Sequence, residues 1–354
     1  MKGGGKTEME KQARFALIGC GRIAVNHLDA IKNAPSAKLV AVCDIVEEKA
    51  KKVAEEQGLE KWYTDIDDML NNEKVDVCCV LVPSGRHAEV AIKVAGYKVN
   101  VLCEKPLDVT KEKMKAMIQT CKDNGVKLGA IFQRRSFMAA QETKKAIENG
   151  TLGRVTMGDA YLKYYRDQAY YDSGDWRGTW ELDGGGALMN QGIHGIDLIN
   201  WMMGGIESVY AHCEKLVWDI KVEDTAVISV RFKNGALGVI EGATTAYPGL
   251  DTIFQVNGSE GSIMFGDEGF YHWKIKDNKV EQPDVSGSMG GLNCQYNTNN
   301  VGHILQVEDM ARAVLDDRDP LITGEEAMKS VNIILAIYES ARTGKEIKLD
   351  EFNQ

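Results

Sequence analysis

The 354-residue sequence predicts an α/β domain with a doubly wound parallel sheet, then an α+β domain whose large sheet is mostly antiparallel. Three observations predict this. Residues 14–133 alternate short apolar runs with helical patterns, the arrangement that builds a parallel sheet. From residue 155 onward strand patterns dominate and are joined by turn-forming pairs. Between the first apolar run and the first helix lies a glycine-rich turn, Gly19-Cys20-Gly21-Arg22-Ile23-Ala24.

The first run, 15–18, has the length of a buried parallel strand. It stops at the turn, a helical pattern follows over 23–32, and a second apolar run at 39–43 ends in Asp44. This is the βαβ dinucleotide fingerprint in its expected context. Gly19 permits the tight turn, Gly21 lets the backbone approach a pyrophosphate, and Ala24 keeps helix and strand close. The helix N-terminus offers free N–H groups to the phosphates. Asp44 lies where an acid accepts from the adenosine ribose hydroxyls and repels a 2′-phosphate. Ile45 and Val46 supply no arginine for that phosphate, so NAD is expected rather than NADP. A glycine-rich turn without a ligand is the alternative.

A charged helix follows over 47–57, ended by Gly58, and a short helix over 65–70. Residues 75–82 are almost entirely apolar and read as a central strand running into Pro83-Ser84-Gly85-Arg86-His87. A helix to about 96, a strand at 100–103 closing on Glu104-Lys105-Pro106-Leu107, a helix over 111–124 capped by Thr110, and a strand at 126–132 complete the pattern. Ligands bind at the carboxyl ends of such strands. That aligns Gly19, Asp44, Pro83, Glu104, Lys105 and Gln133 along one crevice.

Near residue 134 the pattern changes. A helix is expected over 139–149, then strands at 155–165, 208–216, 224–232, 236–245, 252–258, 261–266 and 271–275. Lys233-Asn234-Gly235 and Ser259-Glu260 carry hairpin chemistry. Helices are expected over 192–203, 304–315 and 324–343, and a long surface loop over 277–300. The chain thus divides into a flexible lead-in, 1–13, a dinucleotide-binding domain, 14–133, and a second domain, 134–354.

The net charge of −10 argues against a nucleic-acid partner, because phosphate binding needs a basic face. The N-terminal stretch is polar, so neither a signal peptide nor a membrane anchor is expected there. None of the eight cysteines forms a C-x-x-C pair, and five lie in or beside apolar runs. That fits reduced thiols in a cytoplasm.

Lys105 ends a buried strand at the ligand edge. A cation there hydrogen-bonds a substrate hydroxyl and stabilises the alkoxide; a lysine paired with Glu104 is the alternative. The second constellation is Trp176-Arg177-Gly178-Thr179-Trp180, then Asp183-Gly184-Gly185-Gly186, then Asn190-Gln191-Gly192-Ile193-His194. Three consecutive glycines allow close approach to a ligand. Asn190 and His194 are four apart and share a helical face. His194 is a candidate general base, against the alternative of a satisfied structural histidine. Zinc on His194 and Asp197 lacks further ligands, so no metal is expected. Tyr164, Tyr165, Arg166, Tyr170, Tyr171, Trp176 and Trp180 form an aromatic cluster suited to stacking on a sugar ring, or to core packing. His303 and Gln306 are further substrate candidates.

The G-x-G-x-x-A start, Glu104-Lys105-Pro106, and the segment from Gly185 through His194 to Asp197 together resemble the Gfo/Idh/MocA family. The resemblance runs nearly the whole chain from Arg14. It implies a Rossmann domain followed by an open-faced antiparallel sheet, and NAD(P)-dependent oxidation of sugars, inositols or glycosides. It implies Lys105 and His194 as catalytic residues. It places Gly19, Gly21, Arg22, Ile23, Asp44, Ser84, His87, Glu104, Lys105 and Gln133 around the cofactor, with Trp176 and Arg177 near the nicotinamide. Many members have Asp where this chain has Asn190, so the base role falls on His194 and Asn190 orients substrate or histidine. Tyr164, Arg166, Tyr170, Asn190, His194 and His303 are the substrate candidates.

The reaction expected is oxidation of a ring hydroxyl, at C3, of a neutral sugar or glycoside to a keto-sugar. Alternatives are a nucleotide-sugar or inositol dehydrogenase, a glycosidase that recycles NAD, and a non-catalytic NAD(H) sensor. Apolar residues on both sides of strands such as Ala226-Val227-Ile228-Ser229-Val230 predict a second layer over the sheet's open face. With the resemblance, that points to a homo-oligomer, dimer or tetramer.

Overall fold

The computed structural model describes residues 11–285 and 300–353. Most of the lead-in, the middle of the expected long loop and Cys294 lie outside the described residues. The first domain is built from β1 (Ala13–Ile18), α1 (Ala24–Asn33), β2 (Ala37–Cys43), α2 (Glu47–Gln57), α3 (Ile66–Asn72), β3 (Val77–Val80), α4 (His87–Gly96), β4 (Asn100–Cys103), α5 (Lys111–Asp123) and β5 (Leu128–Ala130). Its strands are all parallel, in the order β2-β1-β3-β4-β5. Both faces are buried, which is why these strands read as continuous apolar runs. Along β1, Phe15 and Leu17 pack with Leu28 and Ile31 of α1, while Ala16 and Ile18 pack on the other side with Ala88 and Val94 of α4.

Local chemistry sets the helix limits. Gly58 takes the left-handed conformation (φ 69°) past α2. Asp65 accepts from Asp68 N to start α3, and Thr110 from Lys113 N to start α5. β3 and β5 are shorter than their apolar runs. Pro83 turns the chain out of the sheet, and after β5 it coils into a 3₁₀ turn at Gln133–Ser136. The order reverses between β1 and β3, so a crevice opens at their carboxyl ends.

The second domain contains α6 (Met138–Glu148), β6 (Val155–Lys163), α7 (Gln168–Asp172), α8 (Ile193–Met202), β7 (Ile206–Glu214), β8 (Thr225–Phe232), β9 (Leu237–Ala243), β10 (Ile253–Gly258), β11 (Gly261–Gly266) and β12 (Gly269–Ile275). The chain ends in α9 (Val301–Leu315), α10 (Gly324–Thr343), β13 (Ile347–Lys348) and α11 (Leu349–Phe352). Eight strands run in the order β12-β11-β10-β6-β9-β8-β7-β13, antiparallel except for the β6–β9 pair. One face, with Leu162, Ile228, Ile240, Phe254 and Phe265, is buried under α6, α8 and α10. The other face leaves Met157, Tyr210, Val227 and Leu237 exposed.

One helix lies elsewhere than its place in the chain suggests. α9 falls within the expected second domain, yet it packs on α1 and β1 of the first. Its apolar stripe, Ile304, Val307, Met310 and Ala311, joins Phe15, Leu17 and Ile31 in one core. It completes the layer that α1 begins on that face of the parallel sheet.

Candidate active site

Gly19 has φ 104°, and a Cβ there would stand 2.7 Å from Leu81 O, so only glycine fits between β1 and β3. Gly21 and Arg22 are exposed at the start of α1, with Ile23 partly buried behind them. No atom lies within 4 Å of a Cβ built on Gly21, which leaves the backbone open to close approach. Asp44 binds the turn itself: its Oδ2 accepts from Cys20 N at 2.7 Å and its Oδ1 from Val46 N at 2.8 Å. Each oxygen keeps a second lone pair for a ribose hydroxyl. Gln133 Oε1 is buried with no partner among the described residues. Open helix N–H groups, a terminal acid and an orphaned amide oxygen fit a dinucleotide along this edge.

One expected contact looks inward instead. The His87 ring nitrogens lie 2.7 Å from Pro106 O and 2.8 Å from Val82 O, and the residue is 1% exposed. Burial lowers its pKa, against the pull of those two carbonyls. His87 therefore fastens the β3 loop to the β4 loop and has no ring nitrogen left for a cofactor. Ser84 is buried at the start of the 3₁₀ turn Ser84–Arg86.

Glu104 sits between two histidines. His27 Nε2 is 2.9 Å and His303 Nε2 3.5 Å from its Oε1, and its Oε2 accepts from Lys105 N at 3.0 Å. Burial opposes the charge, but the imidazoles outweigh it and hold this carboxyl well below its usual range. The three side chains have the residue types of a metal site. Tetrahedral bonds of ~2.1 Å would set ligand atoms ~3.4 Å apart, whereas 2.9 Å is a hydrogen bond. His303, expected at the substrate, is committed here, edge-on to His27 at 5.6 Å.

Lys105 is partly buried and donates from Nζ to Asn190 O at 2.8 Å, which joins the first domain to the second. Burial lowers its pKa; Glu104 and Asp183 oppose this, while Arg177 and Arg166 reinforce it.

The three glycines approach protein rather than ligand. A Cβ on Gly184 would strike Val109, on Gly185 Tyr338 Oη, and on Gly186 Glu223 O at 1.7 Å. The buried Glu223 carboxyl accepts from Gly186 N, Leu188 N and Tyr338 Oη, each at 2.9 Å, and burial pushes its pKa up to about 7. The segment so held is a π-helix, Ala187–Gly192, a distortion frequent at functional sites. On it, the Asn190 side chain turns to Asp183, donating from Nδ2 to Oδ1 at 2.6 Å. His194 opens α8, with its ring edge-on to Phe132 at 6.0 Å and Nδ1 buried without a partner among the described residues. Burial, then Lys105 and Arg134, lowers its pKa well below 6.5, so the imidazole is neutral and able to accept a proton.

The arginines separate into two pairs. Arg134 bonds Asp267 at 2.9 Å, and Arg135 grips Asp197 through two 2.7 Å bonds. Arg177 lies over the rings of Tyr170, at 4.2 Å, and Trp176, at 4.5 Å, while Arg166 lies 5.2 Å from Tyr170. Among the described residues, neither Arg166 nor Arg177 has a carboxylate partner within salt-bridge distance. Tyr171 is buried against Thr244, and Tyr164 packs on the core with its hydroxyl 3.4 Å from Thr252 Oγ1. The sequence reading missed Asp183, Glu223, Tyr338 and Phe132. An acid beside a glycine run was a visible signal for Asp183, whereas nothing local marks Glu223, 37 residues from Gly186.

Comparison with known proteins extends the geometry. A family model described as an oxidoreductase family with an NAD-binding Rossmann fold matches residues 13–132. A GFO/IDH/MocA C-terminal domain matches residues 140–264. The chain is 29% identical to scyllo-inositol 2-dehydrogenase (NAD(+)) of Bacillus subtilis, over 97% of this chain and 98% of that one. It is 27% identical to D-glucoside 3-dehydrogenase of Escherichia coli, over 95% and 97%. The WlbA dehydrogenase from Bordetella pertussis, solved with NADH and UDP-GlcNAcA, is 34% identical over 96% and 98%, with a TM-score of 0.86. With a dinucleotide crevice, a lysine at the β4 end and a neutral histidine facing it across the domain junction, the chain belongs to the Gfo/Idh/MocA family of NAD-dependent oxidoreductases that act on CH–OH groups.

Proposed function

We propose that the protein oxidises a secondary ring hydroxyl, at C3, of an anionic sugar such as a nucleotide-linked sugar or sugar acid, giving a keto-sugar. When bound, NAD supplies the hydride acceptor at nicotinamide C4. His194, neutral by burial, takes the hydroxyl proton. Lys105, aimed by its bond to Asn190 O, stabilises the alkoxide as the proton leaves. Tyr170 and Trp176 hold the Arg177 guanidinium over their rings.

The observation that carries the anionic class is the pair Arg166 and Arg177, which stack on Tyr170 without a carboxylate partner among the described residues. Guanidinium groups so placed suit a carboxylate or phosphate. The neutral ring expected from sequence would leave Arg166 without a counter-charge. The likeness to WlbA supports the same class. An uncharged glycoside is the second reading, favoured by the likeness to D-glucoside 3-dehydrogenase. Homo-oligomerisation through the exposed sheet face, with Met157, Tyr210, Val227 and Leu237, belongs to the proposal. So does a reducing, cytoplasmic setting, since the seven described cysteines are free thiols.

The test is NAD reduction against UDP-sugars, UDP-sugar acids, neutral glycosides and inositols, with wild type and Arg166→Ala. Preference for the charged sugars, lost in Arg166→Ala, is expected. Equal efficiency on neutral glycosides in both proteins refutes the anionic class. A monomeric mass by light scattering at micromolar concentration refutes the oligomer.

A further inference from the structure

A buried carboxylate that no step above uses lies behind the catalytic lysine. Asp183 is 2% exposed. Its Oδ2 accepts from Gly178 N at 2.9 Å and its Oδ1 from Asn190 Nδ2 at 2.6 Å. The main-chain carbonyl of the same Asn190 accepts from Lys105 Nζ at 2.8 Å. Gln191 Nε2 points at Asn190 Oδ1 from 3.3 Å, so flipping the amide would set donor against donor. Lys105, Asn190 and Asp183 thus form one line of cation, neutral bridge and anion.

Other titratable groups face this line: the charged Glu104 at the end of β4, Arg166 beyond β6 and Arg177 ahead of the glycine run, and the neutral His194 on α8. Glu104 is already held by His27 and His303. Asp183 has only the neutral Asn190 and one main-chain N–H as hydrogen-bond donors among the described residues.

We propose that Asp183 is a positioning residue: it locks Asn190 so that the Asn190 carbonyl aims Lys105 Nζ at the substrate hydroxyl. The inference rests on the role of Lys105 stated under the proposed function. Burial draws the Lys105 pKa down, and Asp183 with Glu104 opposes that. Removing the Asp183 charge therefore lets Lys105 lose its proton at lower pH. If the ammonium is the active form, the alkaline limb of kcat/KM must move to lower pH.

The hydrogen-bond arithmetic supplies a rescue. In Asp183→Asn one oxygen must serve both Gly178 N and Asn190 Nδ2, so one donor is left facing an amide N–H₂. In Asn190→Asp two carboxylates stand at hydrogen-bond distance and must share a proton. In the double variant Asp183→Asn/Asn190→Asp every partner is satisfied again with roles reversed. The amide at 183 accepts from Gly178 N and donates to the carboxylate at 190, which also receives Gln191 Nε2. One negative charge is back on the line.

The experiment measures kcat, KM and their pH profiles for the full-length enzyme with a sugar that the wild type oxidises, together with NAD affinity and melting temperature. Asp183→Asn is expected to lose at least ~10-fold in kcat, less than the ~100-fold expected when an acid–base group itself is removed. Its alkaline limb should fall, with NAD affinity unchanged. Asn190→Asp should also lose kcat. The double variant should exceed both singles and return the limb towards wild type. Wild-type kcat and limb in Asp183→Asn overturn the proposal, as does a double variant whose loss is the product of the single losses. Should Asp183→Asn fail to fold, a wild-type profile in Asn190→Asp overturns it equally. A wild type that reduces NAD on no sugar of the panel overturns the proposed function and this inference with it, whereas an active wild type with an insensitive Asp183→Asn overturns this inference alone.

Discussion

Replacing Asp197 by alanine should destabilise the protein by about 3 kcal/mol. Its carboxylate is 1% exposed and receives Arg135 Nε and Nη2 at 2.7 Å each and Ser330 Oγ at 2.8 Å. The Arg135 side chain is 9% exposed. Removing one member of a buried ion pair costs roughly 3–5 kcal/mol, because the other charge is left desolvated. Arg135 keeps a second acid, Glu326 at 3.4 Å, which places the loss at the lower end. With an unfolding entropy of about 2.1 cal/mol/K per residue, 3 kcal/mol lowers Tm by ~4 °C for 354 residues that unfold as one unit. Urea denaturation and calorimetry measure both quantities. Arg135→Met/Asp197→Leu removes both charges and should fall within about 1 kcal/mol of wild type, since no buried charge is left unpaired. A loss below about 1 kcal/mol in Asp197→Ala, or a double variant as unstable as the single one, refutes the reasoning. The pair ties the turn after β5 to α8 and α10, three residues past His194, so kcat should fall in Asp197→Ala as well.

Four further outcomes follow from the site. His194→Ala and Lys105→Ala should each lower turnover at least ~100-fold, with NAD affinity retained in His194→Ala; near-normal turnover across pH would remove that residue from the chemistry. Asp44→Ala should weaken NAD and narrow its advantage over NADP, and equal efficiency with both cofactors in the wild type would contradict the role of Asp44. Because the His194 pKa is lowered well below 6.5, the neutral base should persist and the acid limb of kcat/KM should lie below 6.5. Stability should also fall towards acid. The unfolded chain takes up a proton at this residue below 6.5 while the folded one does not, so stability should fall as pH drops below 6.5, and replacing His194 by a neutral residue should flatten that slope.

What the sequence determined by itself is whatever is local. Burial on both faces makes a strand continuously apolar, so β1 to β5 were legible as runs. α2 was bounded to the residue by a charged start and Gly58. The glycine turn, Asp44 and Lys105 could be aligned along one edge because ligand sites at the carboxyl end of a parallel sheet follow from strand order, whereas His194 sits on α8, outside that sheet. Only the tertiary structure decided which neighbours those residues meet. The glycine run looked like a cradle for a ligand, and its space is filled by Val109, Tyr338 and Glu223. His87 and His303 looked available, and buried main-chain carbonyls and Glu104 hold them. α9 follows a long connection in the chain yet closes the first domain, because its apolar stripe completes the layer that α1 begins on the sheet. Asp183 and Glu223 acquire their roles only when the chain folds Asn190 and the π-helix against them, and no local pattern encodes a contact between residues far apart in sequence.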